Sequence, residues 1–330
     1  MQKEGIKNQL GVVVIGRNEG DRLRVCLDSA IQFCEFVVYV DSGSTDDSVN
    51  LAFKLGVEVV ELDISIPFTA ARARNAGFAQ LIKLNPNLKY VQFVDGDCEI
   101  VPDWLAFVFD FLEKNKNVAV VCGRRRERYP EATVYNMLCD IEWDTPIGET
   151  KACGGDAMFR IDAFQEVNGF RDNSIAGEEP ELCVRLRQEG HKIWRLDHEM
   201  TLHDAAMSKL SQWWKRSVRA GYAFAEGSFL HGEPPEYHWV TESRRSVLWG
   251  GVIPGFILLM LFFFGYKFLF LILIYPIQVI RLAFRGKRST KENWLQAFFL
   301  VLGKFPEFIG LLKFQIRRIF HKEAILIEYK

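Results

Sequence analysis

The sequence predicts an α/β fold in which a mostly parallel sheet is flanked by helices on both faces and followed by C-terminal membrane-associated helices. Three observations carry that reading. Short β-type apolar runs alternate with helix-periodic stretches over residues 11–122. Acidic motifs stand at the ends of two of those runs. Charge and Phe content also change abruptly near residue 246: residues 246–330 hold 12 Lys/Arg against 4 Asp/Glu and 13 of the 27 Phe, whereas residues 1–245 hold 29 against 38. An acidic body joined to a basic, Phe-rich tail has the composition of a membrane attachment. The formal net charge of −1 over 330 residues argues against nucleic acid as a partner, and the length suffices for a large core.

Each element follows in order. The run VVVI within 11–15 reads as a buried strand, and 21–33 has helical spacing at Leu23, Leu27 and Ile31. Residues 36–40 form the next strand. A helix over 45–55 is opened by Ser44 or Thr45 as N-cap, with Asp46 and Asp47 where the dipole favours acids. Strands over 57–62, 90–94 and 118–122 alternate with helices over 70–84 and 103–114. Such βα alternation gives a parallel sheet with both faces covered. The first turn, GRNEGD, lacks the GxGxxG of dinucleotide folds. Residues 124–200 are less regular, with a helix over 181–189 closed by Gly190. Residues 207–230 form an amphipathic helix carrying Trp213 and Trp214 beside Lys215 and Arg216.

The tail has two apolar runs, 247–263 and 268–284, around the short turn 264–267. Each is about 26 Å as a helix, at the short end for a membrane span. Basic residues on both flanks favour two cytoplasmic ends and a hairpin. Pro254 and Pro276 are potential kinks. The run 294–318, interrupted by Lys304, Pro306 and Glu307, reads as an interfacial helix in preference to a third crossing. The resulting division is a catalytic domain over 1–205, an amphipathic linker over 206–245 and an attachment region over 246–330. The stretch MQKEGIKNQLGVVVIGRNEG has no apolar run long enough for a signal peptide, so the first domain is expected on the cytoplasmic side. Seven scattered cysteines without a CxxC pair read as reduced core thiols.

In open α/β sheets, ligands bind beyond the carboxyl ends of the strands. Asp41 of VDSGSTDDS and Asp95-Gly96-Asp97 of FVDGDCEI stand at two such ends. Two carboxylates one residue apart suit a hard divalent cation, Mg2+ or Mn2+, which in turn suits a diphosphate.

The motifs VVVIGRNEGDRLRVCLDSA, VVYVDSGSTDDSV, ARARNAGF, FVDGDCEI, GGDAMFRIDAFQEVNGF and GEEPELCVRLRQEG occur in one order over residues 11–195. As a set they resemble the family 2 glycosyltransferases of the GT-A fold. The resemblance implies that Glu19, Asp41, Arg74 and Asp95 bind the nucleotide. Arg72 is a weaker candidate than Arg74. It also implies that Asp95 and Asp97 hold the metal, with His203 as third ligand and Asp204 orienting it. Glu179 takes the position of the general base, although the family's Glu-Asp pair is here Glu178-Glu179, so either carboxylate is a candidate. Gly154, Gly155 and Asp156 would line the acceptor or donor-sugar side, and Trp213 and Trp214 would meet the acceptor. Arg124-Arg125-Arg126 reads as a solvated strand end in preference to a binding site for acceptor phosphate. The expected activity is transfer of a sugar from a nucleotide-diphosphate sugar to a lipid-linked glycan at the cytoplasmic membrane face, with inversion, in cell-envelope or exopolysaccharide assembly. A polyprenyl-phosphate sugar synthase is the nearest alternative, but DGDCEIVPDW lacks the D-A-D-x-Q-H run of those enzymes. A non-catalytic scaffold of the same fold is the remaining one.

Overall fold

A computed structural model describes residues 8–320, which form two compact units dividing between Ala206 and Met207. The N-terminal residues 1–7, part of the stretch read for a leader, lie outside the described residues.

The first unit is built on a nine-stranded sheet in the order β3-β2-β1-β4-β8-β6-β9-β5, with β7 on β9. Its strands are β1 (Leu10–Gly16), β2 (Phe36–Asp41), β3 (Glu58–Glu61), β4 (Tyr90–Asp95), β5 (Cys98–Ile100), β6 (Val118–Glu127), β7 (Gly148–Thr150), β8 (Ala157–Arg160) and β9 (Lys192–His203). The four strands β3, β2, β1 and β4 are parallel, as the alternation requires. β8 then inserts antiparallel between β4 and β6. The helices are α1 (Asp21–Ile31), α2 (Ser48–Lys54), α3 (Ala70–Leu84), α4 (Trp104–Lys114), α5 (Val134–Glu142), α6 (Ile161–Glu166) and α7 (Glu178–Gln188).

Central strands are continuous apolar runs because helices cover both faces; Val12, Val13, Val14, Val38 and Phe93 have no exposed surface. The close approach of α3 depends on Gly77, where a Cβ would lie 2.4 Å from Val13 Cγ1 and 2.7 Å from Val40 Cγ2. Behind β4 and β8, Phe93, Phe159, Phe164 and Phe170 form an edge-to-face cluster with centroids 5.3 to 6.0 Å apart. The one polar side chain inside β4, Gln92, is explained by Trp104, whose indole N–H donates to its carbonyl at 3.0 Å.

α2 begins three residues later than the sequence predicts, and neither Ser44 nor Thr45 caps it. Both are taken by the first loop: Asn18 N–H donates to Ser44 Oγ at 2.9 Å, and Thr45 N–H donates to Asn18 Oδ1 at 2.7 Å. The β1–α1 and β2–α2 loops are thereby tied together at the strand ends.

The second unit is helical: α8 (Leu210–His231), α9 (Val240–Val247), α10 (Ile253–Phe264), α11 (Ile274–Ala283), α12 (Thr290–Leu302) and α13 (Lys304–Ile319). Gln212 starts α8 by accepting from the Ser208 and Lys209 N–H groups, both at 2.9 Å. A π-helical turn over Leu248–Val252 joins α9 to α10 just before Pro254, which has no N–H to give the preceding turn. Tyr266–Leu273 is a 3-10 segment leading into α11, and Pro276 falls just after the change from one helix type to the other.

Three continuous helical stretches, Val240–Phe264, Tyr266–Ala283 and Thr290–Ile319, are long and apolar enough to cross a membrane. The third is 30 residues long and is opened by a Ser289/Glu292 capping box, so the run expected to lie in the interface has the length of a crossing. Its interrupting charges neutralise each other: Lys304 Nζ lies 2.6 Å from Glu307 Oε2, and Ser246 Oγ donates to the same oxygen at 2.6 Å. α8 and α13 cross at small residues, since a Cβ on Gly221 would lie 1.9 Å from Glu307 O and one on Gly310 2.0 Å from Val218 O.

Candidate active site

The carboxyl ends of β1, β2 and β4 carry Glu19, Asp41 and Asp95, as the motifs require. Asp41 is only 2% exposed. Its carboxylate accepts from Tyr39 Oη at 2.8 Å and from the Gly43 and Ser44 N–H groups at 2.9 and 2.7 Å. It therefore shapes the β2–α2 turn from within. Burial, then the neighbouring Asp41, push the Tyr39 hydroxyl well above its ordinary pKa and keep it a donor. Glu19 pairs with Arg22 at 2.8 Å and packs over the Asp95–Asp97 turn, where a Cβ on Gly96 would lie 3.3 Å from Glu19 Cγ.

Arg74, 2% exposed on α3, is the hub of the site. One Nη lies 2.8 Å from Asp95 Oδ1, the other 2.6 Å from Glu178 Oε1, while Nε has no hydrogen-bond partner. Arg72 is directed elsewhere and donates to the Ile66 and Asp63 carbonyls, bracing that loop. Gly155 closes the hub: a Cβ there would lie 2.8 Å from Arg74 Nη2 and 3.2 Å from Asp95 Oδ2.

Asp95 is also 3.3 Å from Arg125, so two guanidinium groups share its carboxylate. Arg125 is a residue the sequence reading misplaced. β6 continues through 124–126 instead of ending before it, and strand alternation turns Arg125 away from its neighbours. Arg124 and Arg126 pair with Asp140, whereas Arg125 reaches Asp156 at 2.8 Å and Asp95. Asp156, expected to line the sugar side, has no exposed surface. It sits immediately before β8, beneath the end of β4, and accepts from the Asp95 N–H at 3.0 Å and Thr201 Oγ1 at 2.8 Å. Those bonds tie the end of β4 to β9.

Asp97 and His203 come together because β5 pairs with the end of β9, setting Cys98 opposite His203. Asp97 Oδ2 is 3.3 Å from His203 Nε2. On the other side, β6 sets Glu127 opposite His203, and Glu127 Oε2 lies 3.5 Å from Nδ1. Glu127, which the sequence reading did not single out, is held by Asn136 Nδ2 and the Tyr129 and Ala205 N–H groups. It occupies the orienting place expected of Asp204, whose side chain instead accepts from Ala206 N–H at 3.1 Å. The Trp143 ring packs edge-on against His203 at 4.8 Å.

The two carboxylates that open α7 face different partners. Glu178 meets Arg74. Glu179, 4% exposed, accepts through Oε1 from the Cys153 N–H at 2.6 Å and from the Cys153 and Cys183 thiols at 2.8 and 2.9 Å. Burial raises the Glu179 pKa above its ordinary value, against the opposing pull of those hydrogen bonds. Nothing in the spacing of 153, 179 and 183 revealed that cluster; only the i, i+4 relation of Glu179 to Cys183 is visible on a helix.

Trp213, expected to meet an acceptor, is buried against Phe299 of α12 at 4.9 Å; Trp214 is half-buried.

Comparison with known proteins agrees with this architecture. The sequence profile described as Glycosyl transferase family 2 matches residues 11–166. The O-antigen chain rhamnosyltransferase RfbN of Salmonella typhimurium is 24% identical over 173 residues, 48% of this chain and 53% of the relative. The O-antigen chain rhamnosyltransferase WbaN of Salmonella anatum is 25% identical over 171 residues, 48% of this chain and 52% of the relative. The chain thus spans about half the length of the curated relatives it matches. Among solved structures, the mannosyltransferase PcManGT of Pyrobaculum calidifontis, in complex with GDP-Man and Mn2+, has the same fold. Its TM-score is 0.57 at 17% identity, covering 96% of this chain and 88% of that one. Residues 11–166 thus carry the sequence pattern of glycosyltransferase family 2, on a GT-A fold shared with that mannosyltransferase.

Proposed function

We propose that the chain transfers a sugar from a nucleotide-diphosphate sugar to a lipid-linked glycan, by a single displacement that inverts the anomeric configuration. The observation that carries this reading is the convergence on Arg74 of Asp95 and Glu178, with the Asp97–His203 pair and Glu179 at neighbouring strand and helix ends.

The donor set fits a divalent metal. The Asp97 carboxylate faces the His203 Nε2 edge with both side chains buried, and Glu127 stands 3.5 Å behind Nδ1, where a carboxylate orients a metal-binding imidazole. A cation of the Mn2+ or Mg2+ class relieves that opposition of two electron-rich groups. Asp97 and His203 would hold it. Asp95, assigned to the metal by resemblance, is committed to Arg74 and Arg125, which makes it a partner of the guanidinium pair. The metal's chemistry is to offset charge on the departing diphosphate.

Arg74 is buried and Arg125 half-buried, and both are held in place by carboxylates, so they stabilise developing negative charge without reorganising. Glu179 is the base. Glu178 is tied to a guanidinium, whereas burial makes Glu179 more basic than a surface carboxylate. Glu179 takes the acceptor hydroxyl proton as that oxygen bonds to the anomeric carbon and the bond to diphosphate breaks. The apolar helices keep the enzyme beside a bilayer, where a lipid-borne acceptor is concentrated. The O-antigen chain relatives support a glycan acceptor, and the basic flanks of the apolar runs support a cytoplasmic catalytic unit at a bacterial inner membrane.

The test is transfer by the full chain in nanodiscs with native lipid extract, across a donor panel led by nucleotide-diphosphate rhamnose and GDP-mannose. Mass spectrometry of a glycan-extended lipid is the expected result. A product consisting of one sugar on a polyprenyl phosphate would replace the acceptor assignment, and absence of both donor binding and transfer would remove the enzymatic reading.

A further inference from the structure

The structure assigns a second metal site, for a soft divalent cation of the Zn2+ class, to Cys153, Cys183 and Glu179. It is distinct from the Asp97–His203 pair, and its consequence for activity rests on the reading of Glu179 as the base.

The two sulfurs are 3.8 Å apart. Two thiolates bound at about 2.3 Å in a tetrahedral shell stand about 3.8 Å from each other, so the sulfurs already have the spacing of a bound ion. Glu179 Oε1 is 2.8 and 2.9 Å from them. A tetrahedral shell sets that oxygen about 3.5 Å from each sulfur, a withdrawal of ~0.6 Å along a flexible side chain. One ligand atom from each residue lies within 4.8 Å of the others. Cys183 and Glu179 are i, i+4 on α7, and Cys153 comes from the loop ahead of β8, so helix and loop present the three ligands to one point. Cys153 is half-buried, so the cluster is not sealed from solvent.

Sulfur ligands select zinc-like ions over magnesium or manganese. Burial holds the Cys153 thiol well above its ordinary pKa and Cys183 at about 11, so both are protonated when the site is empty. Binding therefore exchanges two thiol protons, released to solvent, for two metal–sulfur bonds. Glu179 becomes the third ligand and cannot accept a proton from the acceptor. The same ion also fixes the Cys153–Gly155 loop, whose Gly155 borders Arg74 and Asp95. Soft divalent metal is then an inhibitor that acts by capturing the base.

The experiment titrates Co2+, a spectroscopic substitute for Zn2+, into the reduced full-length protein in detergent. We expect a thiolate-to-metal charge-transfer band saturating at one equivalent. It survives in Asp97→Ala and Cys98→Ala, which alter the other cluster, and disappears in the Cys153→Ser/Cys183→Ser chain. Zn2+ displaces the band and lowers transfer about 100-fold or more, the scale of a lost base. Residual transfer by the doubly substituted chain is insensitive to Zn2+. No band, or a band that persists without both thiols, overturns the site. So does loss of two hydrogens by mass spectrometry with no bound metal, which would make the pair a disulfide. A saturable band with undiminished transfer keeps the site and instead overturns Glu179 as the base.

Discussion

Glu178 and Glu179 are adjacent in sequence and different in chemistry, because the first turn of α7 aims them at a guanidinium and at a thiol-lined pocket. Glu179→Gln should lower kcat about 10²- to 10⁴-fold with donor KM little changed. Glu178→Gln should act through Arg74 and appear chiefly in donor KM; steady-state kinetics on both variants separates the roles. Since the raised Glu179 must be ionised to act, activity rises with pH through its pKa. The acidic limb of the profile should therefore have its midpoint above 4.5, and it should vanish in Glu179→Gln. Behind His203, Glu127→Gln should weaken Mn2+ binding about 10- to 100-fold, as read by calorimetry. The positions of Asp41 and Asp95 were legible because each closes a strand, and those of Arg74 and Asp97 because each lies in a dense motif beside such an end. Arg125 and Glu127 were not, because their places depend on how far β6 extends and which strand flanks it.

At the scale of elements, the parallel strands were legible wherever burial on both faces made the run wholly apolar, as in β1, β2 and β4. β8 and β9 were hidden for opposite reasons. β8 is only four residues long, and β9 carries six charged or His side chains among its 12 because it runs out along the site. The capping of α2 misled because Ser44 and Thr45 serve the neighbouring loop, a tertiary claim on residues with strong local preferences. The α3–sheet contact makes a sharper test. Gly77→Val places new methyls against Val13 and Val40 and should destabilise the first unit by about 1–3 kcal/mol in urea unfolding, with the helix displaced from β1.

For the whole molecule, composition alone separated an acidic α/β body from a basic, Phe-rich tail, because charge and apolar content need no knowledge of packing. The length of the third apolar helix was not legible, since the pairing of Lys304, Glu307 and Ser246 removes the charges that argued against a span. The central claim is that one metal-assisted displacement runs through Asp97 and Glu179. Nucleoside diphosphate release from the matched nucleotide sugar, by the full chain in nanodiscs with acceptor lipid and Mn2+, tests it most directly. Release should be abolished by chelator and by Asp97→Ala, and reduced at least 100-fold, with donor binding retained, by Glu179→Gln. Release that continues undiminished in chelator and in both variants would contradict it.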